Sequence, residues 1–365
     1  MTAKISSTEW RMIGETVPGA SHLRAGTPNQ DAILQLRESS RALPLVLAVS
    51  DGHGSPKCFR SNYGSRFAVK KSALLVAEFL DERRNGFELK EIEAEGEKFL
   101  PAEFVRRWRE AVEAHLENNP FTDEEFKKLE EKSGTEGRKL VEENPFLAYG
   151  ATSLTVAVED NFILYLQLGD GDIVLVSEKR EVTHALPSDT RLFANETTSL
   201  CLPQAEKDFR FFVQEISAEQ APALIMLSTD GYVNSFSEEA GFLKAGSDFL
   251  EMLGTEGHDY ISENLESWLA ETTAAGSGDD TTVGIIYRPA ATQKAAATAP
   301  NELEIEAAEA TAGSSGAQSD ADGFPLTSEK MDDVTVTITI KKDKNKPPVD
   351  APPKKDADES ESKNS

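Results

Sequence analysis

Four times along this chain an apolar run adjoins aspartate and glycine, and that recurrence limits the fold more than any other feature. The run Leu43–Ser50 (LPLVLAVS) ends in Asp51-Gly52-His53-Gly54, and a second run (FILYLQL, 162–168) ends in Gly169-Asp170-Gly171-Asp172. The segment 222–228 (PALIMLS) leads through Thr229 into Asp230-Gly231. Ser277-Gly278-Asp279-Asp280-Thr281-Thr282 precedes a fourth run, TVGIIY at 282–287. Continuous Val/Leu/Ile runs of this length read as strands buried on both faces, and Asp-Gly pairs read as turns. If the strands lie side by side, the carboxylates converge at one end of the sheets.

The surrounding segments fill in an architecture. Further strands are predicted at 153–158, 173–176 and 210–215. Glu159-Asp160-Asn161 suits a hairpin, and Gly169–Asp172 suits a tight turn between two strands. After the first buried run, residues 61–84 place Phe67, Leu75 and Phe79 at helical spacing, and 236–274 also reads as helical. Strands paired as hairpins, rather than in strict βαβ alternation, favour antiparallel sheets with flanking helices: an α+β layered sandwich.

Residues 83–145 differ from their surroundings. They are charge-dense and helix-prone, with Phe104, Trp108, Val112 and Leu116 forming an amphipathic stripe. Pro101 suits a helix first turn, and Thr122-Asp123-Glu124 suits the start of another helix. The stripe either packs on the core or forms a lid or docking surface. From about residue 289 the chain turns Ala-, Ser-, Gly- and acid-rich and reads as a disordered tail to residue 365. Within the tail, 334–340 (VTVTITI) alternates strictly, as a lone strand added to a sheet edge or as an unstructured segment.

Carboxylates without clustered cysteine or histidine are hard ligands, suited to Mg²⁺ or Mn²⁺ that retain several waters. Two ions bridged by one aspartate can activate water and neutralise phosphoryl oxygens together. A neighbouring imidazole can then protonate a leaving alkoxide. Asp51 and His53 offer such a pair from one turn. Each motif taken singly has a plainer reading: Asp-Gly as a turn, His53 as a solvated loop histidine, Asp280 as a cap for the following segment. Their order, each beside a buried strand, is what points to a site.

With these residues in place, the sequence resembles the type 2C (PPM-type) metal-dependent protein phosphatases over about residues 10–288. Asp51–Gly54, Gly150-Ala151-Thr152-Ser153, Gly169-Asp170-Gly171, Ser228-Thr229-Asp230-Gly231 and Asp279-Asp280-Thr281-Thr282 follow the order of the family's elements. The resemblance implies a four-layer αββα sandwich, two antiparallel sheets flanked by helices, as one catalytic domain over 1–288 with 83–145 as an acidic helical insertion. It implies that Asp51 bridges two Mn²⁺ or Mg²⁺ ions, that the Gly52 carbonyl joins the second, and that Asp230 and Asp279 complete the first. His53 would be the general acid, and Asp170 matches an acid tied to a third, weaker ion. Asp31 fits an early acid of the family and is implied as a further metal residue. Three positions depart from the pattern: Gln30 stands where many members carry Glu, Gly26 where a phosphate-binding Arg is expected, and Gly171 where Ser is usual. His22 or Arg24 could replace that Arg, though Arg24 also reads as a surface residue.

The implied activity is hydrolysis of phosphoserine or phosphothreonine in proteins, opposite a Ser/Thr kinase. The alternative is a pseudophosphatase that binds phosphoproteins as a scaffold. A calcium buffer would need an EF-hand loop, and the D-x-D-x-D-G-x₅-E pattern does not occur. A net charge of −26 disfavours nucleic acid and anionic membranes as partners. Two cysteines, Cys58 and Cys201, make neither a disulfide framework nor a zinc motif. With no apolar run of membrane-spanning or signal-peptide length, the expectation is a cytoplasmic protein, and the family resemblance implies a monomer.

Overall fold

The computed structural model describes residues 10–37, 44–83, 87–187, 198–217 and 220–297. Among these residues, ten strands form two five-stranded antiparallel sheets. The first sheet orders β1 (Arg11–Val17), β10 (Thr281–Tyr287), β9 (Leu224–Ser228), β6 (Asp172–Val176) and β7 (Val182–His184). The second orders β2 (Ala32–Arg37), β3 (Leu45–Ser50), β4 (Ser153–Val158), β5 (Phe162–Leu168) and β8 (Arg210–Glu215).

The sheets stack because their strands alternate between two apolar faces. Along β3, Leu45, Leu47 and Val49 enter the cluster between the sheets, while Val46 and Ala48 face the helices. Along β9, Ile225 and Leu227 point between the sheets and Leu224 and Met226 point outward. Helices α2 (Ser61–Arg83) and α3 (Leu89–Asn118) cover the second sheet. Helices α6 (Glu239–Thr255) and α7 (His258–Ala275) cover the first. Three apolar clusters thus separate four layers, the predicted αββα sandwich. No described helix is long and apolar enough to cross a membrane.

The β4–β5 hairpin turns through Glu159–Asn161, with Glu159 N donating to Phe162 O at 2.9 Å. The turn at Gly169–Asp172 differs from the expectation. Strands β5 and β6 do not pair; the chain crosses there from one sheet to the other. Gly169 makes the crossing at φ 103°, where other residues are strained. Both flanking strands are buried runs, and sequence alone does not distinguish a hairpin turn from a crossing between sheets.

The stripe in 83–145 packs on the core, with Phe104, Trp108 and Val112 fully buried. Pro101 lies inside α3 rather than at a helix start. Its buried ring and the burial of Leu100 and Phe104 around it offset the lost backbone hydrogen bond. Helix α4 (Asp123–Glu143) begins as predicted, with Thr122 and Glu125 forming a reciprocal capping box. The chain does not lose structure at 289. Ala-rich residues favour helix, and α8 (Pro289–Ala297) packs on α6 with Ala291 and Ala295 buried. The predicted strand at 334–340 and the rest of the tail lie outside the described residues.

Candidate active site

The aspartates stand at one end of both sheets. Asp51 follows β3, Asp170 lies in the β5–β6 crossing, Asp230 opens the short helix α5 (Asp230–Val233), and Asp279 and Asp280 precede β10. The loop carrying Asp51 is held by the Gly150–Thr152 segment. Asp51 N donates to Thr152 Oγ1 at 3.0 Å, Thr152 N to Asp51 O at 2.8 Å, and His53 N to Gly150 O at 3.1 Å. Gly52 pairs across this seam with Ala151. A side chain at Gly52 would begin 2.5 Å from Gln30 O, so only glycine fits. At Gly231 a side chain would begin 2.0 Å from Asp280 O, which ties the Asp230 turn to the Asp279–Asp280 loop.

The carboxylates act on one another. Burial raises the Asp51 carboxyl well above its usual range, and the charges of Asp31, Asp230, Asp170 and Asp279 add to the effect in that order. Asp230 is pushed up to about 6, first by burial and then by Asp170. Asp31 is raised by burial and then by Asp280. The structure therefore gathers Asp31, Asp51, Asp170, Asp230 and Asp279 into one electrostatic neighbourhood. His53 shares it: burial lowers its pKa, and Asp170 opposes that.

Asp31 is gripped on one side only. Its Oδ2 accepts from Thr229 Oγ1 at 2.8 Å and from Thr282 Oγ1 at 2.7 Å. Its Oδ1 is buried with no hydrogen-bond partner. A carboxylate oxygen left in that state is costly unless a cation completes it. The oxygen-rich donors around it suit a hard divalent ion, so the residues present fit the implied Mn²⁺ or Mg²⁺. Thr229 and Thr282 lie within the motif elements, but the sequence assigns them no role there. Period-2 patterning places a strand-end threonine without saying which carboxylate its hydroxyl will meet.

Asp280 does not cap the segment that follows it. Its Oδ1 accepts from Gly19 N and its Oδ2 from Gln30 N, both at 2.6 Å, so it clasps both ends of the early loop. Of the two residues considered for phosphate, Arg24 is exposed near the end of α1 (Ala20–Ala25). His22 turns to acids instead, 2.8 Å from Asp280 and 3.6 Å from Asp279. An imidazole facing two carboxylates suits a proton or a cation better than a phosphate. Gln30 Nε2 is spent on Ser61 Oγ and the His53 carbonyl.

Comparison with known proteins gives one direct match and several distant likenesses. The profile described as protein phosphatase 2C matches residues 18–270. No curated protein matches the sequence. The Mycobacterium tuberculosis serine/threonine phosphatase PstP/Ppp is 18% identical, with a TM-score of 0.44 over 76% of this chain and 98% of its own. The Staphylococcus aureus serine/threonine phosphatase Stp1 is 13% identical, with a TM-score of 0.47 over 79% and 97%. A catalytic domain of PstP solved with two manganese ions is 18% identical, with a TM-score of 0.44 over 76% and 97%. The profile spans well over half of the sequence, and the chain belongs to the protein phosphatase 2C family.

Proposed function

We propose that this chain hydrolyses phosphoserine or phosphothreonine in proteins at a site dependent on two Mn²⁺ or Mg²⁺ ions. The observation that carries the reading is the half-satisfied Asp31 carboxylate within a cluster of mutually repelling aspartates. Asp51, the Gly52 carbonyl, Asp230 and Asp279 would hold the pair of ions, with Asp31 alongside and Asp170 toward a weaker third. Bound there, the ions would acidify water and offset phosphoryl charge. The protein's own contribution is placement. The Gly150–Thr152 seam fixes Asp51 and aims the loop that carries His53, and Thr229 and Thr282 set the face that Asp31 presents.

His53 would protonate the leaving serine or threonine oxygen. Its half-buried setting favours the neutral ring, and Asp170 offsets part of that preference. The catalytic unit would run from the N-terminal strand through α8, with 83–145 as a core-packed insertion. A kinase acting on the same proteins, a cytoplasmic setting and a monomeric state complete the reading.

The test is turnover of p-nitrophenyl phosphate and of a phosphothreonine peptide with Mn²⁺ added. Activity should appear with the metal, vanish with chelator and fall by at least about a hundredfold in Asp230→Asn. Phosphopeptide binding with no turnover under any divalent ion would favour the scaffold reading. Gln30, with its amide committed to Ser61 and His53, is the residue that keeps that second reading open.

A further inference from the structure

Helix α1 is only six residues long, yet it is pinned against the loop of Asp279 and Asp280. Gly19 N donates to Asp280, Ala20 N to Thr273 Oγ1 at 3.3 Å, and Ser21 N to Gly278 O at 2.9 Å. The pinning places the His22 ring between two carboxylates. Asp280 already accepts from two backbone amides, so it receives a third hydrogen bond from the ring at Nδ1. The ring's lone pair is then at Nε2, 3.6 Å from Asp279 Oδ1. In that tautomer no hydrogen joins Nε2 to Asp279 Oδ1, which itself accepts from Asp280 N at 2.8 Å, and a cation or a second ring proton would bridge the two.

One ligand atom each from His22, Asp279 and Asp280 falls within 4.8 Å of the others. A carboxylate that receives Nδ1–H and so presents Nε2 is the usual support of a metal-bound histidine. The buried, unpartnered Asp31 Oδ1 is a separate sign that the aspartate cluster is built for a cation. Asp31 feels Asp280 more strongly than any other charge.

We infer that His22 is a nitrogen ligand at the cation position bordered by Asp279, with Asp280 as the residue that orients it. The inference rests on the metal-dependent reading above and deepens it. A nitrogen donor turns preference away from Mg²⁺, which takes oxygen donors, and toward Mn²⁺, Co²⁺ or Zn²⁺. The resident ion would then be a transition metal.

The experiment uses the full chain, stripped with chelator and reloaded with Mn²⁺, and reads imidazole-nitrogen modulation by pulsed electron paramagnetic resonance. The modulation should be present in the wild type, survive in His53→Asn and disappear in His22→Asn. Asparagine keeps a donor for Asp280 and has no counterpart of Nε2. The same variant should weaken Mn²⁺ binding by about tenfold or more and change Mg²⁺ binding by about twofold or less, measured by calorimetry. Bound Mn²⁺ without nitrogen modulation, or with modulation that His22→Asn leaves intact, overturns the inference and makes His22 an imidazolium bridge between two acids. Absence of any Mn²⁺ binding overturns it as well. Nitrogen coupling without phosphatase turnover strikes the phosphatase reading alone and leaves the ligand assignment standing.

Discussion

At the scale of single residues, the site is a set of charges held together against their preference. Asp51 feels four neighbouring carboxylates, so replacing it by asparagine relieves repulsion in the metal-free protein. The melting temperature of Asp51→Asn without metal should rise by about 2–4 °C, while the further rise expected of the wild type on adding Mn²⁺ should be lost. Differential scanning calorimetry with and without metal checks both. His184 behaves in the opposite sense. Its hydrogen bond to Asp172 is the main cause of its raised pKa, with Glu239 contributing. A raised histidine pKa stabilises the fold fully below the unfolded value, near 6.5, and the benefit fades as pH rises through the folded value. The stability gap between wild type and His184→Gln should be about 0.5–1 kcal/mol near pH 5.5, discounted for partial exposure, and close to zero by pH 9. Urea melts at the two pH values measure it. The motif aspartates were legible in the sequence because strand ends and Asp-Gly turns leave a local pattern. The hydroxyls of Thr229 and Thr282 and the clasp of Asp280 were not, because each reaches a partner far along the chain.

At the scale of elements, Arg60 joins the insertion to the site. Its guanidinium is buried and forms a two-pronged pair with Glu125, at 2.7 and 2.8 Å, and it also donates to Asn119 O and Tyr149 Oη. Its backbone N donates to Ala148 O at 2.7 Å, just ahead of the Gly150–Thr152 seam. Removing the guanidinium leaves the half-buried Glu125 carboxylate, and the Asn119 O, Pro120 O and Tyr149 Oη acceptors, without their donor. Arg60→Met should cost about 3–5 kcal/mol, and adding Glu125→Gln should restore part of that loss. A double-mutant cycle in urea tests this, and simple additivity would count against it. Element type was mostly readable from apolar periodicity, since the predicted 153–158, 162–168 and 210–215 coincide with β4, β5 and β8. What periodicity does not carry is which sheet a strand joins, hence the crossing at Gly169. Nor does it tell a proline that starts a helix from one that burial holds inside it.

At the scale of the whole molecule, composition marked the end of the core too early. Helix α8 buries Ala291 and Ala295 against α6, and an alanine-rich stretch looks the same in a linker as in a packed helix. A chain ending after Arg288 should therefore melt lower than one ending after Ala297, by about 4 °C or more. The longer form should keep the metal-dependent melting shift. Equal melting curves would mean that α8 adds nothing to the fold.

The hydroxyl grip on Asp31 has a mechanical side. Asp31 stands at the head of β2 in one sheet, and Thr229 and Thr282 sit at the ends of two interior strands, β9 and β10, of the other. Asp51 and Asp230 face each other across the same divide. An ion lodged among them would rivet the two halves of the sandwich at that end, and its departure would let the layers slide where the chemistry needs them still. Amide exchange should then slow on metal loading first in the backbone around Asp31 and Thr282, well before the far ends of the same strands respond.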